Sequence, residues 1–239
     1  MSAPRVGIIG GYGPLTSAAF CRKLVEHAQA LDHDHAPSFA MESMPISMRD
    51  AQLCIAGDIE ATRRLVQLAN EGMRRLGSLG VRALAFPCNS VHALAEEFAV
   101  PEGAEFLHIA DVTARRIVDM GVSSVGFLAS GMTMQAGFYQ ERFAASGIAV
   151  AHPAAAVQDA LNAAIARYVR SGVMIDDDRD ACTVALQSVA TQGAGVIALC
   201  CTDISGMLEA ARISAALPIV DSMELLAQEC ARRSILGGL

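Results

Sequence analysis

The fold is indicated first by the stretch Val6-Gly7-Ile8-Ile9-Gly10-Gly11-Tyr12-Gly13-Pro14, near the start of the chain. Residues 6–10 are a short apolar run closed by glycine, which is typical of a strand buried in a parallel sheet. The glycines and the proline that follow predict a turn, after which Thr16 or Ser17 is expected to cap a helix. The stretch therefore predicts a buried strand that leads through a tight turn into a helix.

Further along the chain, segments with strand and helix patterns alternate. Residues 39–44 and 81–87 are predicted strands, and residues 58–76 and 90–98 are predicted helices. Strands that alternate with helices favour βαβ units and a parallel sheet. We therefore predict an α/β fold.

The second half of the chain repeats segments of the first half in the same order. The matched pairs are residues 5–10 with 124–129, 83–90 with 196–203, and 106–111 with 217–221. This repetition predicts two pseudo-symmetric α/β domains, each a mostly parallel sheet flanked by helices. The N-terminal domain is expected to comprise residues 1–110 plus 222–239, and the C-terminal domain residues 111–221. Because ligands bind beyond the carboxyl ends of parallel strands and at domain interfaces, we expect the active site in the inter-domain cleft.

The composition argues against several classes of protein. The chain of 239 residues has 25 acidic and 18 basic residues and a formal net charge of −7, whereas nucleic-acid binding needs a basic surface. No apolar run reaches the ~18–20 residues that cross a membrane, and residues 1–5 show no signal peptide. Seven cysteines without a Cys-x-x-Cys spacing favour free thiols over disulfides or a zinc site. We therefore expect a cytoplasmic protein that binds no metal, no nucleic acid and no membrane.

Two cysteines occupy matching places in the repeat. Cys88 and Cys201 each follow a predicted buried strand and precede a predicted helix, which Ser90 is expected to cap in one half and Thr202 or Asp203 in the other. The unpaired backbone N–H groups and the positive end of a helix dipole lower the pKa of a thiol placed there. Packing alone gives no reason for a thiol to recur at the same strand end. Two such thiols could take a proton from one face of a carbon and return it on the other.

Several segments, taken together and in order, carry a family likeness. They are residues 10–14, 87–92, 127–130 with Thr133, 200–203, 218–221 and the region of Arg49. The chain resembles the cofactor-independent aspartate/glutamate racemase family over essentially its whole length, and aspartate racemases in particular. The resemblance implies that Cys88 and Cys201 are the two catalytic acid/base residues of a homodimer. It also implies that neither pyridoxal phosphate nor any other cofactor or metal takes part.

The same resemblance implies an acidic amino acid as the substrate. Arg49 matches a loop arginine that binds a substrate carboxylate, and Arg170 falls where aspartate-specific members tend to carry a lysine. A guanidinium group suits this role because it pairs with a carboxylate through two parallel hydrogen bonds. The other residues expected to bind substrate are Tyr12, Asn89, Ser90, Ser130, Thr133, Thr202 and Asp203. Tyr12 stands where the family usually has methionine, which adds a bulky phenol to the expected site.

Other functions stay open at this stage. Hydantoin racemase and maleate isomerase share the scaffold, and a non-catalytic protein that binds acidic ligands would keep the cleft. Such a binding protein has no need of two matched thiols. The glycines at residues 7–13 lack the spacing Gly-x-Gly-x-x-Gly, which argues against a dinucleotide. We therefore predict a racemase that interconverts L- and D-aspartate, or glutamate, by two-base proton transfer at Cα.

Overall fold

The computed structural model describes residues 5–55 and 57–236, which form an α/β protein with two four-stranded parallel sheets flanked by helices. By its internal contacts the chain divides into two compact units, one of Met1–Ile109 with Met223–Leu239 and one of Ala110–Ser222. Each unit contains one of the two sheets. The predicted α/β class is confirmed.

The first unit is built around strands β1 (Val6–Gly10), β2 (Phe39–Ser43), β3 (Ala83–Ala85) and β4 (Glu105–Phe106), which lie in the order β2-β1-β3-β4. The helical segments between them are α1 (Pro14–Leu31), α2 (Met48–Ile55), α3 (Ile59–Ser78) and a 3₁₀ helix (Ser90–Glu97). Helix α3 packs on β1 and β2. Every residue of β1 is buried, as expected for a strand in the interior of a parallel sheet.

The second unit has strands β5 (Ser124–Ala129), β6 (Ala149–Ala151), β7 (Val196–Cys200) and β8 (Ile219–Asp221), in the order β6-β5-β7-β8. Its helices are α4 (Ile109–Asp119), which belongs to this unit from Ala110 onwards, α5 (Gly131–Ala136), α6 (Phe138–Ala145), α7 (Ala155–Ser171), α8 (Asp176–Ala190) and α9 (Thr202–Ala211). Helix α10 (Ser222–Leu236) follows, and from Met223 onwards it belongs to the first unit. Helix α8 packs on β5 and β7, and α7 packs along α8.

The two sheets share their strand order and their register. Gly7 of β1 lies opposite Leu84 of β3, and Gly126 of β5 lies opposite Ile197 of β7. Both glycines belong to the Val-Gly dipeptide that the sequence repeats at residues 6–7 and 125–126. The repeat in the sequence therefore corresponds to two sheets of one topology.

The predicted cap of the first helix is wrong. Helix α1 begins at Pro14 with Gly13 as its N-cap, so that Thr16 and Ser17 lie inside the helix. Proline suits this first position because it has no N–H group that would be left unpaired. Ser17 bonds the glycine turn instead: its Oγ accepts from the Gly11 N–H at 3.3 Å and donates to the Gly13 carbonyl at 2.9 Å.

The caps expected next to the two matched cysteines are also wrong. The helix predicted over residues 90–98 is the 3₁₀ helix, and its N-cap is Asn89. In the second unit the N-cap of α9 is Cys201 itself. The three residues predicted as caps lie instead in the first turns of their helices, one or two positions after the N-cap: Ser90, Thr202 and Asp203.

Each unit has its own hydrophobic core. In the first unit Ile9, Met73 and Phe86 belong to a buried cluster between the sheet and its helices. In the second unit Leu128, Leu161 and Ile204 belong to another. Among the described helices, none combines the length and the apolar character that crossing a membrane requires.

Candidate active site

In the first unit, Cys88 lies just beyond the carboxyl end of β3. The strand ends at Ala85, which is followed by the buried Phe86 and then by Pro87 and Cys88. The Cys88 thiol is partly buried, and its Sγ lies 3.5 Å from the Ser90 Oγ. Because β3 is the neighbour of β1 in the sheet, Cys88 lies at the same edge of the sheet as the glycine turn that follows β1, residues 11–13.

Tyr12, in that turn, is held next to Cys88. Both residues pack against the same core cluster, and the Tyr12 ring meets the Phe86 ring edge-on with centroids 5.5 Å apart. The Tyr12 hydroxyl donates a hydrogen bond to the Leu65 carbonyl in α3 at 2.6 Å. Burial raises the pKa of Tyr12 well above its usual value, and negative charge on Cys88 and Cys54 raises it further. The phenol is therefore neutral at physiological pH and serves as a fixed wall of the Cys88 region.

His92 supports the strand end that carries Cys88. The ring is buried, and its Nε2 lies 3.1 Å from the Phe86 carbonyl while its Nδ1 accepts from the Ile109 N–H at 3.3 Å. Because Nδ1 accepts, Nε2 carries the proton and donates to Phe86. These two bonds fix the backbone two residues before Cys88. Asn89, which follows the cysteine, is buried as well.

In the second unit, Cys201 directly follows β7. Its backbone is extended, and the residue begins α9 as the N-cap. The thiol Sγ donates to the Asp203 Oδ2 across 3.8 Å. Burial raises the pKa of the Asp203 carboxyl above its ordinary value, and the Cys201 contact opposes part of that rise. A carboxylate that is kept partly out of water next to a thiol is a suitable acceptor for the thiol proton.

The neighbouring Cys200 is separate from this arrangement. It is fully buried and in contact with the equally buried Tyr139. Burial raises the pKa of the Cys200 thiol well above its usual value, and the nearby charges of Asp221 and Cys201 add to this effect. Consecutive residues of a strand point to opposite faces, which accounts for the different surroundings of the two thiols. Cys200 is therefore a structural thiol.

The strand register makes Cys88 and Cys201 equivalent. Cys88 stands four residues after Leu84, the partner of Gly7, and Cys201 stands four residues after Ile197, the partner of Gly126. Each thiol thus follows the third strand of its sheet at the same height relative to the first strand. The two cysteines are placed by the same local architecture in each unit.

Ser130 and Thr133 lie at the same edge of the second sheet as Cys201. Ala129 is the register partner of Cys200, so the residue after each, Ser130 and Cys201, begins the loop at the same level. The Ser130 Oγ caps α5 by accepting from the Thr133 N–H at 3.4 Å, and it donates to the Thr133 Oγ1 at 3.2 Å. The structure therefore groups Ser130, Thr133, Cys201, Thr202 and Asp203 in one unit.

The two predicted arginines are exposed. Arg49 lies in the first turn of α2, the helix that also carries Cys54. Arg170 lies in the last turn of α7. Eight residues separate Arg170 from Asn162, which lies near Ser130, and this spacing corresponds to about 12 Å along the helix axis. Among the described residues, no contact joins Arg49 to Cys88 in the first unit or Arg170 to Cys201 in the second.

Two residues at the Ser130 edge were not predicted from the sequence. Gln158 and Asn162, on α7, donate to and accept from the backbone of the loop that follows β5. Their four-residue spacing puts both on one face of the helix, but this pattern alone does not distinguish them from solvent-exposed polar positions. Within the described ranges, no group of three or more His, Cys, Asp or Glu side chains could hold a metal ion.

Comparison with known proteins identifies relatives across almost the whole chain. A sequence model of the Asp/Glu/Hydantoin racemase family matches residues 9–230. The chain is 28% identical over 228 residues to the broad specificity amino-acid racemase RacX of Bacillus subtilis (strain 168), covering 93% of this chain and 95% of that protein.

Solved structures show the same architecture. A candidate Asp/Glu racemase from Yersinia pestis superposes with a TM-score of 0.84 at 26% identity, over 97% of this chain and 99% of the other. The aspartate racemase of Picrophilus torridus superposes with a TM-score of 0.73 at 22% identity, over 96% of this chain and 94% of the other. The second likeness is one of fold.

Proposed function

The chain belongs to the Asp/Glu/Hydantoin racemase family and is an isomerase, and on this premise we propose that it interconverts the L- and D-enantiomers of an acidic amino acid, aspartate or glutamate. The proposed reaction removes the proton from Cα and returns a proton to the opposite face. It needs one base and one acid on the two sides of the carbon, and the proposed mechanism uses no cofactor.

The observation that supports this proposal is the equivalence of Cys88 and Cys201. Each thiol follows the third strand of its sheet at the same register, and each has an oxygen of a nearby side chain within reach of its sulfur. In the proposed mechanism the thiolate of one cysteine takes the Cα proton, and the thiol of the other donates a proton to the planar carbanion-like intermediate. The roles exchange for the opposite enantiomer.

Charge that develops on the α-carboxylate must be stabilised, because the Cα–H of an amino acid is a very weak acid. The first turn of α9 lies at the positive end of the helix dipole, and helix N-termini of this kind bind anions. Thr202 adds a hydroxyl at this point, and Asn89 and Ser90 add polar groups beside Cys88. We propose these residues as the binding site of the α-carboxylate.

The side chain of the substrate is proposed to be acidic. Arg49 is exposed on the helix that carries Cys54, and Cys54 acts electrostatically on Tyr12, the neighbour of Cys88. A guanidinium group on this helix suits a second carboxylate. The curated relative from Bacillus subtilis has broad specificity, so neutral amino acids are included in the test below.

The proposed function is tested by exchange of the Cα proton in D₂O. We expect the purified protein, with a reductant and no added cofactor, to incorporate deuterium at Cα of aspartate or glutamate and to invert the configuration. The incorporation is followed by proton NMR, and the inversion by chiral chromatography of both enantiomers.

Arg49→Ala is expected to lower kcat/KM for the acidic amino acids more than for alanine or methionine, because it removes a charge that only an acidic side chain uses.

An absence of exchange with every acidic amino acid would contradict the proposal. Hydantoins and maleate would then be the next substrates to assay on the same scaffold. An equal effect of Arg49→Ala on acidic and neutral amino acids would contradict the proposed role of Arg49 alone.

Protonation of Asp203 is expected to cause a fall in kcat/KM at acidic pH, here called the acidic limb of the pH profile. Its pKa is raised by burial, and only the ionised carboxylate accepts the thiol proton of Cys201. The kcat/KM should therefore fall as the pH drops through the pKa of Asp203, and Asp203→Asn should lower the neutral-pH kcat/KM by about 10- to 100-fold and remove this limb.

The stability of the same variant separates this role from a structural one. A folded-state pKa above the unfolded value means that ionisation of Asp203 opposes folding as the pH rises through that range. Asp203→Asn is therefore expected to leave the urea midpoint at pH 7 unchanged or higher while kcat/KM falls. A variant that keeps both the wild-type acidic limb and the wild-type kcat/KM would contradict the role of Asp203.

A further inference from the structure

The backbone on both sides of Ser130 is held by two amide side chains of α7. The Nε2 of Gln158 donates to the Ala129 carbonyl at 3.1 Å, and the Oδ1 of Asn162 accepts from the Gly131 N–H at 2.8 Å. The two amides are joined, because the Gln158 Nε2 also donates to the Asn162 Oδ1 at 2.9 Å. Ser130 therefore lies between two backbone groups that are held by one connected pair of side chains.

The orientation of both amides follows from these bonds. The Ala129 carbonyl can only accept and the Gly131 N–H can only donate, so Gln158 must present its NH₂ group and Asn162 its oxygen. Gly131 is also fitted to this arrangement, since a Cβ at that position would lie 2.8 Å from the Asn162 Nδ2. A side chain at position 131 would therefore displace the Asn162 amide from its bonds.

This arrangement leaves one acceptor unsatisfied. The Oε1 of Gln158 is buried and has no hydrogen-bond partner within residues 5–55 and 57–236. A buried acceptor without a donor is unfavourable for folding, and an apolar side chain of similar length would avoid it. The contribution of Gln158 therefore lies in its N–H groups and in what they hold.

We propose that Gln158 and Asn162 are positioning residues that hold the Ser130 loop at the level of Cys201. The proposal rests on the proposed function, because it takes Ser130 as part of the substrate site. Ser130 and Cys201 follow register-paired residues of β5 and β7, so a shift of the loop moves the Ser130 hydroxyl relative to the thiol. Misplacement of a binding group by a fraction of an ångström lowers the rate without unfolding the protein.

Amide-to-acid changes at the two positions should have opposite outcomes. Both described bonds of Asn162 use its oxygen, so Asn162→Asp keeps them, whereas Asn162→Leu removes them. Both described bonds of Gln158 use its NH₂ group, so Gln158→Glu removes them and places a carboxylate against two oxygens. Gln158→Met removes the bonds together with the unsatisfied oxygen and adds no charge.

The test measures loop order and catalysis in the same variants of the full-length protein. Hydrogen exchange of the Gly131 amide, followed by NMR, should be at least about 10-fold faster in Asn162→Leu than in wild type and close to wild type in Asn162→Asp. The kcat/KM should fall about 10-fold or more in Asn162→Leu, Gln158→Glu and Gln158→Met. The urea midpoint of Gln158→Met should change little, because the variant also removes the unsatisfied oxygen.

A double-mutant cycle with Ser130→Ala shows whether the amides act through Ser130. If they do, Gln158→Met should lower kcat/KM much less in the Ser130→Ala background than in wild type. Additive effects, or wild-type Gly131 exchange in Asn162→Leu, would overturn the proposal. Should the wild type catalyse no racemisation, the proposed function fails, and a Gly131 amide as protected in Asn162→Leu as in wild type would still separately overturn the positioning role.

Discussion

Replacement of Cys88 or of Cys201 by serine is expected to lower kcat/KM for racemisation by about 10²- to 10⁴-fold, the range that general acid–base catalysis contributes. A serine hydroxyl occupies nearly the same place as the thiol but does not ionise near neutral pH, so each variant loses one of the two proton-transfer groups. The loss should be equal in both directions, because enantiomers have the same free energy and the equilibrium constant is one.

Exchange without inversion distinguishes two bases from one. In Cys88→Ser the remaining thiol of Cys201 can still take a proton from its own face of Cα and return one to that face. We expect each single variant to exchange the Cα proton of one enantiomer for deuterium without inverting the configuration. The two variants should act on opposite enantiomers. The measurement is proton NMR in D₂O on separate L- and D-samples, combined with chiral chromatography.

Neighbouring thiols provide matched controls for this prediction. Cys200→Ala changes the residue next to Cys201, and Cys54→Ala changes a thiol that acts on Tyr12 together with Cys88. Neither group is placed to transfer a proton in the proposed mechanism, so both variants should keep kcat/KM within about threefold. Selection of the same enantiomer by Cys88→Ser and Cys201→Ser would contradict the two-base mechanism, as would full racemisation by either.

The sequence is informative about the strand ends because their pattern is local. Short apolar runs closed by glycine or by cysteine indicate buried strands, and the repeat of those runs indicates two sheets of one topology, which the structure contains. The register adds what the sequence alone lacks, namely the position of each cysteine relative to the first strand of its sheet.

Helix starts and polar site residues are less predictable from sequence. Thr16 and Ser17 are good caps by residue type, but Pro14 is already suited to the first helical position and α1 begins there. Gln158 and Asn162 look like ordinary polar positions of a helix, and only the packing of α7 against the end of β5 gives them partners. The direction of an exposed arginine depends on neighbours that no local pattern specifies.

Gly11→Ala is expected to lower the free energy of unfolding by about 2–5 kcal/mol, since it combines backbone strain with overpacking. Gly11 has φ of +101°, and a Cβ there would lie 2.1 Å from the Met44 carbonyl oxygen. The backbone cannot shift freely, because the Met44 N–H donates to the Gly10 carbonyl at 3.1 Å and the Gly11 N–H donates to Ser17. Urea unfolding followed by circular dichroism measures the loss.

Gly103→Ala separates strain from collision within the same unit. Gly103 also has a positive φ, +77°, but a Cβ there would meet only the end of the Arg82 side chain, at 3.5 Å. Its expected loss is about 1 kcal/mol, the cost of the backbone conformation alone. Equal losses in the two variants would contradict the collision with Met44. Because Tyr12 follows Gly11 and lies next to Cys88, the folded fraction of Gly11→Ala should also have a lower kcat/KM, whereas that of Gly103→Ala should match wild type.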